Sequence, residues 1–234
     1  MFIDSAIHIP RAWHLITRLG EAQVVLPIAV VGGIARVRTP DQGNLAMWWA
    51  VLLGVAVLIT VATKLAFIGW GLGSAELDFT GVSGHAMLAT AVYPLAMPAL
   101  AGTTRLGTRR LATAVGVALA ILVGVSRLML GVHSLSEVVA GWLLGGAACA
   151  GVPRKDALTA DRPHTKAFVP LGLALVVTLF AAPSMNTHAL VTQAALNLSG
   201  HAHPYTRAAL LRRAKHVVVS LGPTSPSRPR RTAP

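Results

Sequence analysis

The stretch Ser126-Arg127-Leu-Met-Leu-Gly-Val-His133-Ser-Leu-Ser-Glu137 joins one apolar run to the next. An arginine, a histidine and a carboxylate therefore stand where one membrane helix would surface and another would dive. If the chain is helical from about Val132 onward, His133 and Glu137 share a face one turn apart. Glu137 would then accept from one imidazole nitrogen, fixing the tautomer and leaving the other nitrogen free to attack. Arg127 brings a permanent charge and a donor fork suited to phosphate. A lone histidine at a helix start is most often a cap or an interfacial group. The whole S-R-x5-H-x3-E spacing, beside a second histidine motif, favours chemistry instead.

The surrounding composition is that of a polytopic membrane protein: 54% of the 234 residues are apolar, 12% are charged, and mean hydropathy is +0.63. The net charge of +12 is scattered between apolar runs and in a tail. That distribution suits cytoplasmic loops and anionic lipid headgroups, and no nucleic-acid partner is expected. Cys149 lies in an apolar run, so it reads as a small packing residue and no internal disulfide can form. The first twenty residues carry Asp4, Arg11 and Arg18 without an uninterrupted apolar core, so no cleaved signal peptide is expected.

Residues 1–20 read as an amphipathic interfacial lead-in with Ile3, Ile7, Trp13, Leu15 and Ile16 as apolar contacts. Six spans follow within 21–185, at about Ala22–Val37, Leu45–Gly69, Ser83–Gly102, Leu111–Val125, Val138–Val152 and Ala167–Ala182. The second is the clearest, with Trp48 and Trp49 at its start and Trp70 at its end. The 21 residues from Trp49 to Trp70 would rise roughly 31 Å as a helix, close to the hydrocarbon thickness. Residues 186–220 form a further unit in which 186–203 reads as one interfacial helix. The stretch 221–234 reads as a disordered basic tail. The expected fold is all-α, a polytopic membrane bundle of about six transmembrane helices.

Loops 36–44, 102–110 and 153–166 carry nine Lys or Arg. The positive-inside rule puts them in the cytoplasm, and six spans then put both termini and the 126–137 loop on the outer side. On that same side lies Thr80-Gly-Val-Ser83-Gly84-His85, at the entrance to the third span. Free N–H groups at a helix start bind anions, and glycine lets phosphate approach. Ser83 adds a hydroxyl donor and His85 an acid or base. Lys64, near the outer end of the second span, is either a snorkelling charge or a third element of the same site.

The array Lys64, Ser83, Gly84, His85, Arg127, His133 and Glu137 resembles the type-2 phosphatidic acid phosphatase family, membrane relatives of bacterial acid phosphatases and vanadium haloperoxidases. Its three blocks read K-x6-R-P, P-S-G-H and S-R-x5-H-x3-D. The third is intact here except that Glu137 replaces Asp. The second has Val82 for proline. The first keeps only Lys64, with Gly71 and Leu72 where Arg-Pro is expected. Arg127 and Lys64 would have to suffice, or another arginine would have to fold in.

The resemblance implies an acid phosphatase/vanadium haloperoxidase-like helical fold and a metal-free lipid-phosphate phosphatase in a bacterial inner membrane, with its site on the periplasmic face. His133 would attack phosphorus to form a phosphohistidine, and Glu137 would stabilise the imidazolium. His85 would protonate the leaving alkoxide and then activate water. Lys64, Arg127, Ser83 and the Gly84 amide would hold the phosphate oxygens. No cofactor or metal is expected, since no Cys/His or Asp/Glu cluster has ligand spacing. Two other readings stand beside this one: a non-catalytic lipid-phosphate binder or carrier, and a phosphotransferase using the same site.

Overall fold

The computed structural model describes residues 11–37, 43–101, 105–152 and 187–220. Apolar runs broken by glycine-rich or polar turns fold as eight helices among these residues. They are α1 (Arg11–Arg18), α2 (Ala22–Val37), α3 (Gly43–Trp70), α4 (Gly84–Leu100), α5 (Leu106–Met129), α6 (Leu135–Ala150), α7 (Thr187–Ser199) and α8 (Arg207–Ser220). The described residues contain no β-sheet beyond an isolated bridge between Ser74 and Phe79.

Helices α3 and α5, 28 and 24 residues long, are apolar and long enough to cross a membrane. Helices α1 and α2 meet at a 41° bend and together make a third candidate span. The first five expected spans correspond to α2 through α6. The fourth is longer than expected, running Leu106–Met129, because its helix continues through Arg109 and Arg110 into the basic loop. The fifth, α6, is apolar but only 16 residues long. The expected sixth span, the 153–166 loop and the 221–234 tail lie outside the described residues. Residues 187–220 contain two helices, α7 within the 186–203 stretch and α8 beyond it, separated by a turn that begins at Gly200.

Helix α4 occupies the centre, packed against α2, α3, α5 and α6. Its Ala86, Ala89, Val92 and Ala96 are buried with Val24, Val25 and Val123 from the flanking helices. Small residues allow the tightest approach: a Cβ on Gly141 would stand 2.7 Å from the Ser83 carbonyl oxygen. Backbone therefore packs on backbone between α6 and α4, the pattern expected where apolar lipid supplies no drive for association. Buried indole N–H groups pin the remaining contacts, Trp49 donating to the Ala91 carbonyl (3.0 Å) and Trp142 to that of Ala120 (3.2 Å).

Helices α3 to α6 alternate in direction, so the C-terminal ends of α3 and α5 and the N-terminal ends of α4 and α6 meet at one end of the bundle. Helix α3 stops there in a left-handed glycine cap. Gly71 adopts φ +72°, its N–H donates to the Phe67 carbonyl (2.8 Å), and the Leu72 N–H reaches back to Ala66 (3.2 Å). Helix α7 lies along the last turns of α3, burying Ala195 against Phe67 and Ile68.

Candidate active site

The site grows from the start of α6. Ser134 is its N-cap, with the Ser134 hydroxyl accepting from the Glu137 N–H (3.4 Å) and the Glu137 carboxylate accepting from the Ser134 N–H (3.2 Å). This reciprocal capping box turns Glu137 back toward the residue before the helix. That turn brings Glu137 Oε2 within 2.6 Å of His133 Nδ1. His133 itself sits in the turn and not on the helix, so the cap, and not helical periodicity, makes the pair.

Glu137 is fully buried, and Thr80 and Arg207 also bring donors to its carboxylate. The Thr80 N–H donates to Oε1 at 2.7 Å, and the Thr80 hydroxyl donates to the same oxygen. Arg207 Nη2 stands 2.6 Å from Oε2. Burial alone would raise this carboxyl, but the hydrogen bonds from His133, Thr80 and Arg207 outweigh it and bring it down to about 2. Glu137 is therefore a carboxylate throughout the physiological range. His133 lies below its ordinary value: burial lowers it, the Glu137 contact opposes this, and the charges of Lys64 and Arg127 reinforce the burial. At neutral pH the imidazole is uncharged, and with Nδ1 carrying the proton toward Glu137 the lone pair is on Nε2.

The second motif joins the first through the backbone. The Ser83 N–H donates to the Glu137 carbonyl at 3.0 Å, which locks the start of α4 to the start of α6. Ser83 is the N-cap of α4, yet its side chain makes no capping bond, and its buried hydroxyl has no hydrogen-bond partner among the described residues. Arg127 donates from Nη1 to the Thr17 hydroxyl on α1 (2.7 Å), while its buried Nε has no hydrogen-bond partner among the described residues. Lys64 Nζ lies 3.9 Å from where a Cβ would project from Gly84. His85 interacts electrostatically with Arg127, Lys64 and His133.

All seven residues expected from the sequence thus come to one end of the bundle: Lys64 from α3, Ser83, Gly84 and His85 from the start of α4, Arg127 from the end of α5, His133 and Glu137 from the turn into α6. Buried N–H and O–H donors of this kind, unpaired beside two cations, fit an anion with several oxygens. Among the described residues no group of three or more His, Cys, Asp or Glu side chains is placed to hold a metal ion.

A family model described as the PAP2 superfamily matches residues 64–159, a segment that begins at Lys64 and contains all seven residues. Members of that superfamily are phosphatases. The chain is also 44% identical over 138 residues to a Klebsiella pneumoniae protein described as an uncharacterized 22.5 kDa protein in the cps region. That match spans 59% of this chain and 66% of the relative, just under two thirds of its length. No solved structure matches the chain.

Sequence reasoning missed three contributors. Thr80 carries no motif signal, although it opens the stretch that holds Ser83 to His85. Thr17, on α1, fixes the Arg127 fork. Arg207 lies far outside the PAP2 segment, and only the missing arginine at position 71 hinted that a cation would arrive from elsewhere.

Proposed function

We propose that this protein is an integral membrane phosphatase that hydrolyses a phosphomonoester or diphosphate of a lipid through His133. The observation that carries the reading is the 2.6 Å contact between His133 Nδ1 and the buried, ionised Glu137, beside two cations and a set of unpaired donors. In the first step His133 Nε2 attacks phosphorus, the N–P bond forms, the P–O bond to the lipid breaks, and His85 gives a proton to the leaving alkoxide. In the second, water attacks phosphorus, His85 takes its proton, the N–P bond breaks and inorganic phosphate leaves. Lys64, Arg127, the Ser83 hydroxyl and the Gly84 amide stabilise the charge on the equatorial oxygens. The negative charge of the bound phosphate favours the protonated His85 needed in the first step, offsetting Lys64 and Arg127.

Support for a lipid substrate comes from the rim. Leu72, Leu77, Met129, Val132 and Leu135 surround the motifs and are exposed, Leu72 by 67% and Leu135 by 62%. Large exposed apolar side chains next to the motifs, at the end of helices apolar enough to cross a membrane, suit a headgroup whose tail stays in the bilayer. Phosphatidate, phosphatidylglycerophosphate, polyprenyl diphosphate and lipid A phosphates share that chemistry. The nine basic residues in the opposite loops support a site on the periplasmic face of a bacterial inner membrane, next to anionic lipid.

Purified full-length protein in mixed micelles, assayed for phosphate release from that panel, tests the proposal. Turnover lost in His133→Ala is expected. Undiminished turnover there would remove the nucleophile assignment, and binding without turnover would favour a lipid-phosphate carrier. Phosphate appearing on an added alcohol instead of water would favour a phosphotransferase.

A further inference from the structure

The chain between α7 and α8 is stitched onto the end of α3. His201 Nδ1 lies 2.8 Å from the Gly69 carbonyl, and the Tyr205 N–H donates to the Ile68 carbonyl at 3.0 Å. The Tyr205 ring packs against Gly71, where a Cβ would stand only 2.8 Å from its Cδ1. Gly71 is doubly required here, by its φ of +72° and by this ring. Two residues beyond Tyr205, at the first turn of α8, Arg207 enters the site.

Both terminal nitrogens of the guanidinium there meet acceptors at this end of the bundle. Its Nη2 stands 2.6 Å from Glu137 Oε2 and 3.4 Å from the Thr80 hydroxyl, and its Nη1 is 3.3 Å from Asp78 Oδ2. Oε2 is the same oxygen that faces His133 Nδ1. A fork with two arms on Glu137 and Asp78 is rigid in a way a lysine would not be.

We propose that Arg207, delivered by the α7–α8 segment from outside the PAP2 portion of the chain, is a positioning residue that fixes the Glu137 carboxylate for His133. The proposal rests on the reading of His133 and Glu137 as the reacting pair. The docked segment is then part of the catalytic unit, and its seat on α3 is the left-handed glycine cap at Gly71, where the first motif block lacks its arginine. The charged and titratable groups facing Glu137 are His133 from the turn, Lys64 from α3 and Arg207 from α8, with Asp78 held by Arg207.

The test is a double-mutant cycle on the full chain in detergent, with phosphatidate and a polyprenyl diphosphate in mixed micelles as substrates. Arg207→Met is expected to lower kcat about tenfold or more with little change in KM. In a Glu137→Gln background the same substitution should cost less than about threefold, because the partner through which it acts is already lost. Arg207→Lys should recover part of kcat, and Arg212→Met, which removes an equal charge from the same helix, should match wild type. An Arg207→Met loss equally large in the Glu137→Gln background, or no larger than that of Arg212→Met, overturns the proposal. If Arg207→Met does not fold, Arg207→Lys and Arg207→Gln enter the cycle in its place.

If wild type turns over neither lipid, the assigned activity fails, and the Glu137 carboxyl carbon followed by NMR still judges Arg207. Its carboxyl titration should move to higher pH in Arg207→Met than in wild type, because one of the donors holding the carboxylate ionised is gone. Identical curves in both proteins overturn the positioning role.

Discussion

Glu137 reaches back 2.6 Å to His133 Nδ1 while closing the capping box of its own helix with Ser134. One buried carboxylate thus starts α6, holds a histidine in the turn and receives Thr80 and Arg207 from two other parts of the chain. A residue with so many partners cannot be altered for catalysis without cost to the fold.

Glu137→Gln illustrates this. The amide keeps the shape but turns an N–H2 toward donors, leaving at least one of them unpaired in a buried place, which costs about 1–3 kcal/mol. A lower melting temperature in detergent is expected together with a fall in kcat of about 100-fold or more, by analogy with a triad carboxylate. Glu137→Asp keeps the charge and should retain substantial turnover. Normal kcat in Glu137→Gln would make the carboxylate a helix cap and nothing more.

The pH dependence has two parts, and both are losses on the acid side. The His133 value lies below 6.5, and the neutral ring is the nucleophile, so attack should persist as pH falls through 6.5 and fade only below it. Ring nitrogen resonances of His133 would report this independently of substrate ionisation, and a midpoint above 6.5 would contradict it. Glu137 is held at about 2 against 4.5, so it contributes stability that is present above about pH 4.5 and lost as pH falls toward 2. Thermal melting of wild type should therefore drop across that acid window by more than in Glu137→Gln.

Chelation should leave turnover intact. Lys64, Arg127 and the Ser83 hydroxyl are donors and cations, and the single carboxylate among the seven site residues is already occupied by His133, Thr80 and Arg207. Such a set repels a divalent ion. Phosphate release measured with excess EDTA tests this, and activity restored only by an added metal would rule out the histidine-centred mechanism as drawn.

Gly71→Ala addresses the seat of the C-terminal segment. An alanine at φ +72° costs about 1 kcal/mol in backbone strain, and its methyl group would press on the Tyr205 ring. Lower kcat and faster proteolysis between α7 and α8 are expected. A variant as active and as protease-resistant as wild type would mean that the turn at Gly71 does not hold the segment.

Topology can be read without any substrate. In a Cys149→Ala background, a cysteine at Ser74 should label with an impermeant thiol reagent from the periplasm and one at Thr108 should not. The reverse pattern would put the site in the cytoplasm.

The hydropathy of the chain by itself determined the helices that form the bundle, because long charge-free runs have few alternatives to a buried or membrane-facing helix. Local spacing determined the cap of α6 as well, since Ser134 and Glu137 stand three residues apart, and it brought His133 to Glu137 even though the connection is a turn and not the helical face first expected. Composition and pattern also marked Lys64, Ser83, Gly84, His85 and Arg127, each at an end of an apolar run. Only the tertiary structure decided what surrounds Glu137. Thr80 comes from 57 residues upstream and Arg207 from the far side of α7, and neither has a periodic or motif signal. Their positions depend on how α7 packs on α3 and on how the 200–206 turn seats against Gly71. Burial then multiplies the effect of these contacts, because a charge removed from water is governed by the few groups that reach it. Those groups are chosen by packing across the whole chain.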